Sequence, residues 1–203
     1  RFDRTPLGFH ALVLGGRHIY IDPLEKEGVY AAYFADEYPR EDNEAGCSVT
    51  ESTTIDESKG AKALTRHGET LRTFRLAVAC TGEYAQFHGA TSAGTIGNAL
   101  AAVTTTVNRV TGIYESELAI RFTLVANNAS ILYWDPNTDP FDPSISVENL
   151  QAESQATINS VIQAANYDIG HTFVLANLGG AASAGVCVDA NKARAVSTAP
   201  NPV

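Results

Sequence analysis

The chain has 203 residues, 44% hydrophobic and 18% charged, which is enough apolar material for a core and excludes broad disorder. A formal charge of −9 argues against nucleic acid or an anionic membrane as partner, since both select clustered Lys and Arg. No stretch approaches the ~18 consecutive apolar residues of a membrane span.

Residues 9 to 35 predict three short strands, Phe9 to Leu14, His18 to Asp22 and Val29 to Ala35, with Gly15-Gly16 and Asp22-Pro23 at the connections. So small an antiparallel β segment is not stable alone and must pack on something. It occupies residues 1–45. Residues 46–70 then read as a polar linker, because charged and hydroxyl side chains dominate and apolar ones lack any period.

The pattern becomes denser over 71–203. Phe74, Leu76, Val78 and Cys80 share one face of a strand over Arg72 to Cys80. Ala93, Ile96, Leu100, Val103, Val107 and Val110 form one helical stripe, although the Thr104-Thr105-Thr106 run weakens intrinsic helicity and leaves packing to hold that segment. Leu118, Ile120, Phe122 and Leu124 alternate as a strand, and Ile131 to Trp134 suggests another. A second helix is predicted after Ser146 as N-cap, with Glu148 in its first turn. His171 to Leu175, the small-residue run Ala182 to Val186 and Ala193 to Val196 read as strands; Ser197 to Pro202 reads as loop chemistry. This order predicts an α/β fold with a mostly parallel sheet and two main helices, preceded by the small antiparallel segment.

No motif supplies chemistry directly. His10, His18, His67, His88 and His171 include no i, i+4 pair, so no helix face offers two imidazoles to a metal, and a structural or solvated role is the simpler reading. GxSxG, a phosphate loop and GxGxxG are all missing from the sequence. Cys47, Cys80 and Cys187 are widely spaced and odd in number, with no CxxC.

Read in order, LRTFRLAVACTGEYAQFHG (71–89), NALAAVTTTVNRVTGIYESELAIRFTLVANN (98–128) and NYDIGHTFVLANLGGAASAGVCVDANKARAVS (166–197) resemble the N-terminal subdomain of a reprolysin-like, adamalysin-type zinc metallopeptidase, a metzincin. Residues 1–45, with GFHALVLGGRHIYIDP, resemble the tail of the propeptide that precedes such domains. The resemblance implies a metzincin-like upper subdomain in a secreted metalloendopeptidase precursor that acts on peptide or protein substrates. It implies that the last strand leads into an active-site helix bearing HExxHxxGxxH, whose imidazoles hold zinc and whose Glu is the base for the metal-bound water. That motif is not in the sequence, so the expectation is a fragment that ends just before it, inactive by itself, with zinc a cofactor of the intact protein only. A sheet face left under-covered would also favour self-association. The alternative is a non-catalytic secreted interaction module; residues beyond Val203 would separate the two.

The resemblance also carries residues. Ala182, Ser183 and Ala184 align with the family's short edge strand, where substrate backbone pairs antiparallel; the simpler reading is small residues at an exposed sheet edge. Cys47 matches loosely a zymogen thiol that occupies the fourth position on zinc, against an ordinary linker thiol. Cys187 falls at a position often disulfide-bonded in the family. Where several adamalysins bind calcium between a Glu and an Asp, this sequence has Arg75 and Asp168, and an ion pair is expected to replace the metal.

Overall fold

The computed structural model describes residues 1–6, 8–24, 28–37, 47–49, 70–142, 144, 146–184 and 187–200. The described residues form two sheets. The first comprises β1 (Phe2–Thr5), β2 (Gly8–Val13), β3 (Ile19–Pro23) and β4 (Tyr30–Phe34), antiparallel and in sequential order. It contains one strand more than the alternation predicts. Phe2–Thr5 adds β1, in register with Gly8–Ala11.

The second sheet holds β5 (Cys47–Val49), β6 (Arg72–Cys80), β7 (Ile120–Leu124), β8 (Ile169–Leu175), β9 (Gly180–Ala182) and β10 (Ala195–Ala199). Its order is β5-β9-β10-β8-β6-β7, and every pairing is parallel except β9 with β10. Among the described residues three α-helices are interleaved: α1 (Gly82–Phe87), α2 (Ile96–Leu118) and α3 (Val147–Val161). The chain is therefore α/β with a mixed, mostly parallel sheet and two main helices, α2 and α3.

The two main helices cover opposite faces of that sheet, and they cover them unequally. Along β8, Gly170, Thr172 and Val174 are fully buried whereas Ile169, His171, Phe173 and Leu175 are only half-buried. The buried set lies under α3 with Leu150, Ile158, Ile162, Tyr167 and Ala193, and this core is closed. The other set joins Val78, Cys80, Val103 and Val107 beneath α2. Period-2 alternation thus sends one row of side chains into a finished core and the other into an unfinished one.

Helix α3 begins where Ser146 accepts a hydrogen bond from the Asn149 N–H at 3.3 Å, the predicted cap. Its inner face is not purely apolar. Gln151, Ser154 and Gln155 are buried there and bind the backbone that leads into β10. Gln155 accepts from Ala193 N at 2.8 Å, Ser154 donates to Ala193 O at 2.7 Å, and Gln151 donates to Arg194 O at 3.0 Å. One backbone N–H and two carbonyls of this segment so find partners that no strand supplies.

Four sequence expectations change. Leu118 belongs to α2, not to the strand, because Ala119 takes a left-handed conformation (φ 54°) that ends the helix and starts β7 at Ile120. Ile131 to Trp134 is reduced to a single parallel bridge, Leu132 opposite Cys80, with Tyr133 N donating to Cys80 O at 3.3 Å. A 3-10 turn spans Asn128–Ile131, and the buried Asn128 amide takes the place of a strand partner, accepting from Val78 N at 2.8 Å and donating to Val78 O at 3.0 Å. Ser197 to Ala199, read as loop, completes β10, pinned where the Thr198 hydroxyl donates to Gly179 O at 2.6 Å. Within the stretch read as linker, Cys47–Val49 forms β5; residues 50–69 lie outside the described residues.

Candidate functional site

The strands end at a rim built from β9 and a groove beside α2. The rim is made of small residues: Gly180, Ala181 and Ala182 pair antiparallel with Ser197, Val196 and Ala195 of β10. The chain holds β9 flat through Ser183 N, which donates to Arg194 O at 2.9 Å, and Thr198 N, which donates to Gly179 O at 3.0 Å. Ala182, Ser183 and Ala184 are half-buried at the C-terminal end of this strand. The paired stretch is centred on Ala181, slightly upstream of the sequence expectation; Val186, predicted as the strand's end, lies outside the described residues.

This rim is not a free edge. On its outer side β9 pairs with β5 in parallel register, Cys47 opposite Gly180, Ser48 opposite Ala181 and Val49 opposite Ala182. A strand's outer row of N–H and C=O groups serves one partner at a time, so β5 holds the position that any other extended backbone would need.

The groove has a volume of about 540 Å³ and runs between α2 and the half-buried face of β6, β7, β8 and β10. Val78, Val110, Phe122, Ile169 and Phe173 supply apolar walls. Val110, Tyr114 and Leu118 on the flank of α2 are 39%, 38% and 39% exposed, so the predicted helical stripe is covered along only part of its length. The groove's polar lining includes Thr106, Thr198 and a side-chain pair. His171 Nε2 and Ser197 Oγ lie 2.9 Å apart, and the His171 ring sits 5.3 Å from that of Phe173. The residue is half-buried among largely apolar neighbours, and burial pushes the imidazole down to about 4.

Arg75 and Asp168 meet at the opposite end of β6. The guanidinium donates to Asp168 at 2.7 Å, the Arg75 backbone N–H donates to the same carboxylate at 2.7 Å, and Arg75 also donates to Ala165 O at 2.9 Å. The Arg75 side chain, by these hydrogen bonds, holds the Asp168 carboxyl below its ordinary range. Arg75→Glu would set two carboxylates together. We expect it to lower the melting temperature in calcium-free buffer and to make that temperature rise with added calcium, while the unmutated chain is indifferent; thermal unfolding with and without calcium checks this.

The cysteines divide sharply. Cys80 is buried between sheet and helix, where burial pushes its thiol up to about 12 and makes it inert. Cys187 is a free, exposed thiol at a left-handed residue (φ 67°). His10, His18, His88 and His171 stand in separate environments, and His67 lies outside the described residues. Among the described residues, no group of three or more His, Cys, Asp or Glu side chains can hold a metal ion. No helix among them is long and apolar enough to cross a membrane.

A mostly parallel sheet with one antiparallel strand at its rim, flanked by a long helix and an open groove, is consistent with a metzincin-like fold. The family model for reprolysin-like metallo-peptidases of family M12B matches residues 70–201, and the chain belongs to that family. No curated protein matches it. The family is zinc-dependent in general. The described residues do not fit that ion, since they bring no ligand set together, and no catalytic step is assigned to them.

The buried polar stripe of α3 is absent from the sequence expectations, although its signal lies in the pattern: Gln151, Ser154 and Gln155 share the helical face of Leu150 and Ile158, where a solvated polar residue has no place.

Proposed function

We propose that the chain is a fragment of a secreted zinc-dependent metalloendopeptidase precursor that hydrolyses peptide bonds in the intact protein. Residues 1–45 form the propeptide tail, 46–70 its connection, and 71–203 the upper subdomain of the catalytic domain. The groove beside α2 is the seat for the helix bearing HExxHxxGxxH, which we place after β10, so the zinc ligands come from residues that follow this sequence. Ala182, Ser183 and Ala184, with the paired residues of β9, are the substrate-binding rim. Cys47 is the thiol we assign to the latent form's zinc.

The observation that carries the precursor reading is the pairing of β5 on β9. A substrate backbone is expected antiparallel to the rim, whereas β5 runs parallel to it. The chain's own strand therefore covers the site in a direction unlike that of a substrate. Small side chains on β9 let either backbone approach closely.

Hydrolysis of a peptide by the full translation product tests both halves of the proposal. Processed protein should cleave it in a chelator-sensitive way. In the unprocessed protein, Ser48→Pro should raise residual hydrolysis about tenfold, the worth of roughly one to two lost backbone hydrogen bonds. Absent or chelator-insensitive cleavage would refute the peptidase. Unchanged residual hydrolysis in Ser48→Pro would refute the role of β5.

A further inference from the structure

Helix α2 has a second working face. Ala99, Val103 and Val107 point to the central sheet, while Thr105, Asn108, Arg109 and Gly112 meet the β1–β4 sheet on the opposite side. The two sheets share no strand pairing among the described residues, and α2 is the principal element between them. We propose that this outer face of α2 is a binding surface for the β1–β4 sheet that retains it without a covalent connection, with Arg109 against Asp22 as the anchor.

The contact has the anatomy of an interface between partners. At its centre the Asp22 carboxylate is saturated: Arg109 donates to Oδ1, His10 Nδ1 lies 2.8 Å from the same oxygen, and Tyr33 donates to Oδ2 at 2.6 Å. The Arg109 guanidinium also stacks over Tyr20, 4.6 Å from the ring centre. Side-chain exposures of 19% for Arg109 and 22% for Asp22 make this a largely desolvated pair rather than a rim contact. Beside it, Asp3 accepts from Thr105 at 2.7 Å and from Asn108 at 2.9 Å.

An apolar contact completes the fit. An added Cβ at Gly112 would lie 3.0 Å from the Arg1 Cδ and 3.3 Å from the buried Leu12 Cδ2, so the absence of a side chain on the helix lets the sheet approach. Two carboxylates on the sheet thus meet donors on the helix, and one leucine meets one glycine. This is the polar, complementary character of a separable contact, unlike the apolar packing of α2 on its other face. The surface exists whether or not the parent chain is a peptidase.

The test is to insert a recognition sequence for a site-specific protease between Glu37 and Cys47, so that β5 stays with the larger piece, and to cleave to completion. At about 10 μM, a concentration that populates any complex of micromolar Kd, sedimentation should show the N-terminal piece travelling with the remainder. Arg109→Ala, which strands the Asp22 carboxylate, should weaken retention by about 100-fold or more. In the uncut chain, hydrogen exchange should speed up in β2 and β3 for Arg109→Ala and stay unchanged in β6 and β8. Separation of the unmutated pieces, retention by Arg109→Ala within about twofold of the unmutated protein, or faster exchange spread equally over all six strands of the central sheet would overturn the proposal.

Discussion

Gly170→Ala is expected to lower stability by about 3 kcal/mol, the upper end of what overpacking a close-packed core costs. Gly170 lies in β8 beneath α3 and the segment that precedes β10. A Cβ there would sit 2.4 Å from Ala193 Cβ, 2.9 Å from Ala193 Cα and 3.1 Å from Ile158 Cδ1. Real carbon contacts do not approach 3.0 Å, and the first two atoms belong to backbone-anchored groups that cannot swing aside. The Gly170 N–H also donates to Lys192 O at 2.7 Å, so the strand and this segment are locked to each other. Any relief must therefore move residues 189–194 outward, which would loosen the Gln155, Ser154 and Gln151 bonds to Ala193 and Arg194 together. Urea unfolding checks this: a lower midpoint with unchanged slope is the expected result, and a variant within about 0.5 kcal/mol of the unmutated chain would contradict it.

The second large effect is a pH dependence centred on His171. Its folded-state value of about 4 lies well below the ordinary 6.5 because burial disfavours the imidazolium. The neutral ring is therefore the form that the fold accepts. Above pH 6.5 both folded and unfolded chains hold it neutral and the stability is fully present. As pH falls from 6.5 towards 4 the unfolded chain takes up a proton that the folded chain refuses, and stability declines, by about 3 kcal/mol in all at 1.36 kcal/mol per pH unit. Carboxylates add their own dependence. Asp168 is held down by Arg75, and its contribution is lost only lower, near and below the ordinary carboxylate range. Asp139 and Glu153 are pushed up by burial and act in the opposite sense. The difference between the unmutated chain and His171→Gln isolates the histidine: it should shrink steadily from pH 6.5 to 4. A difference independent of pH across that window would show that the ring titrates as it does in water.

How much of this was legible follows from where each signal resides. Features fixed by local period were readable: the alternation in Phe74 to Cys80 and Ile120 to Leu124, the apolar stripe of α2, and Ser146 as the cap of α3. What escaped depends on a distant partner. Asn128 serves as a substitute strand because Val78 lies beside it, fifty positions earlier in the chain. The outer face of α2, with Thr105 and Gly112, looks like a polar, helix-weakening surface until the β1–β4 sheet is laid on it. β5 is three residues in a polar stretch and owes its conformation to β9.

The candidate site divides in the same way. Small residues near Ala182 marked the rim, but the sequence could not say that another strand already lay against it. Gly170 within a strand was a readable hint of close approach, though not of Ala193 as the neighbour. Arg75 and Asp168 were paired through the family resemblance alone, since their positions are 93 residues apart; the structure supplies the bidentate geometry.

We propose the groove beside α2 as the seat of a zinc-holding helix that follows β10. The most direct measurement is to read the coding sequence past Val203 and determine the zinc content of the protein it specifies. The expected result is an HExxHxxGxxH helix shortly after β10 and one zinc held by its imidazoles. A following sequence without three such histidines, or a full-length product that binds no zinc, would contradict it.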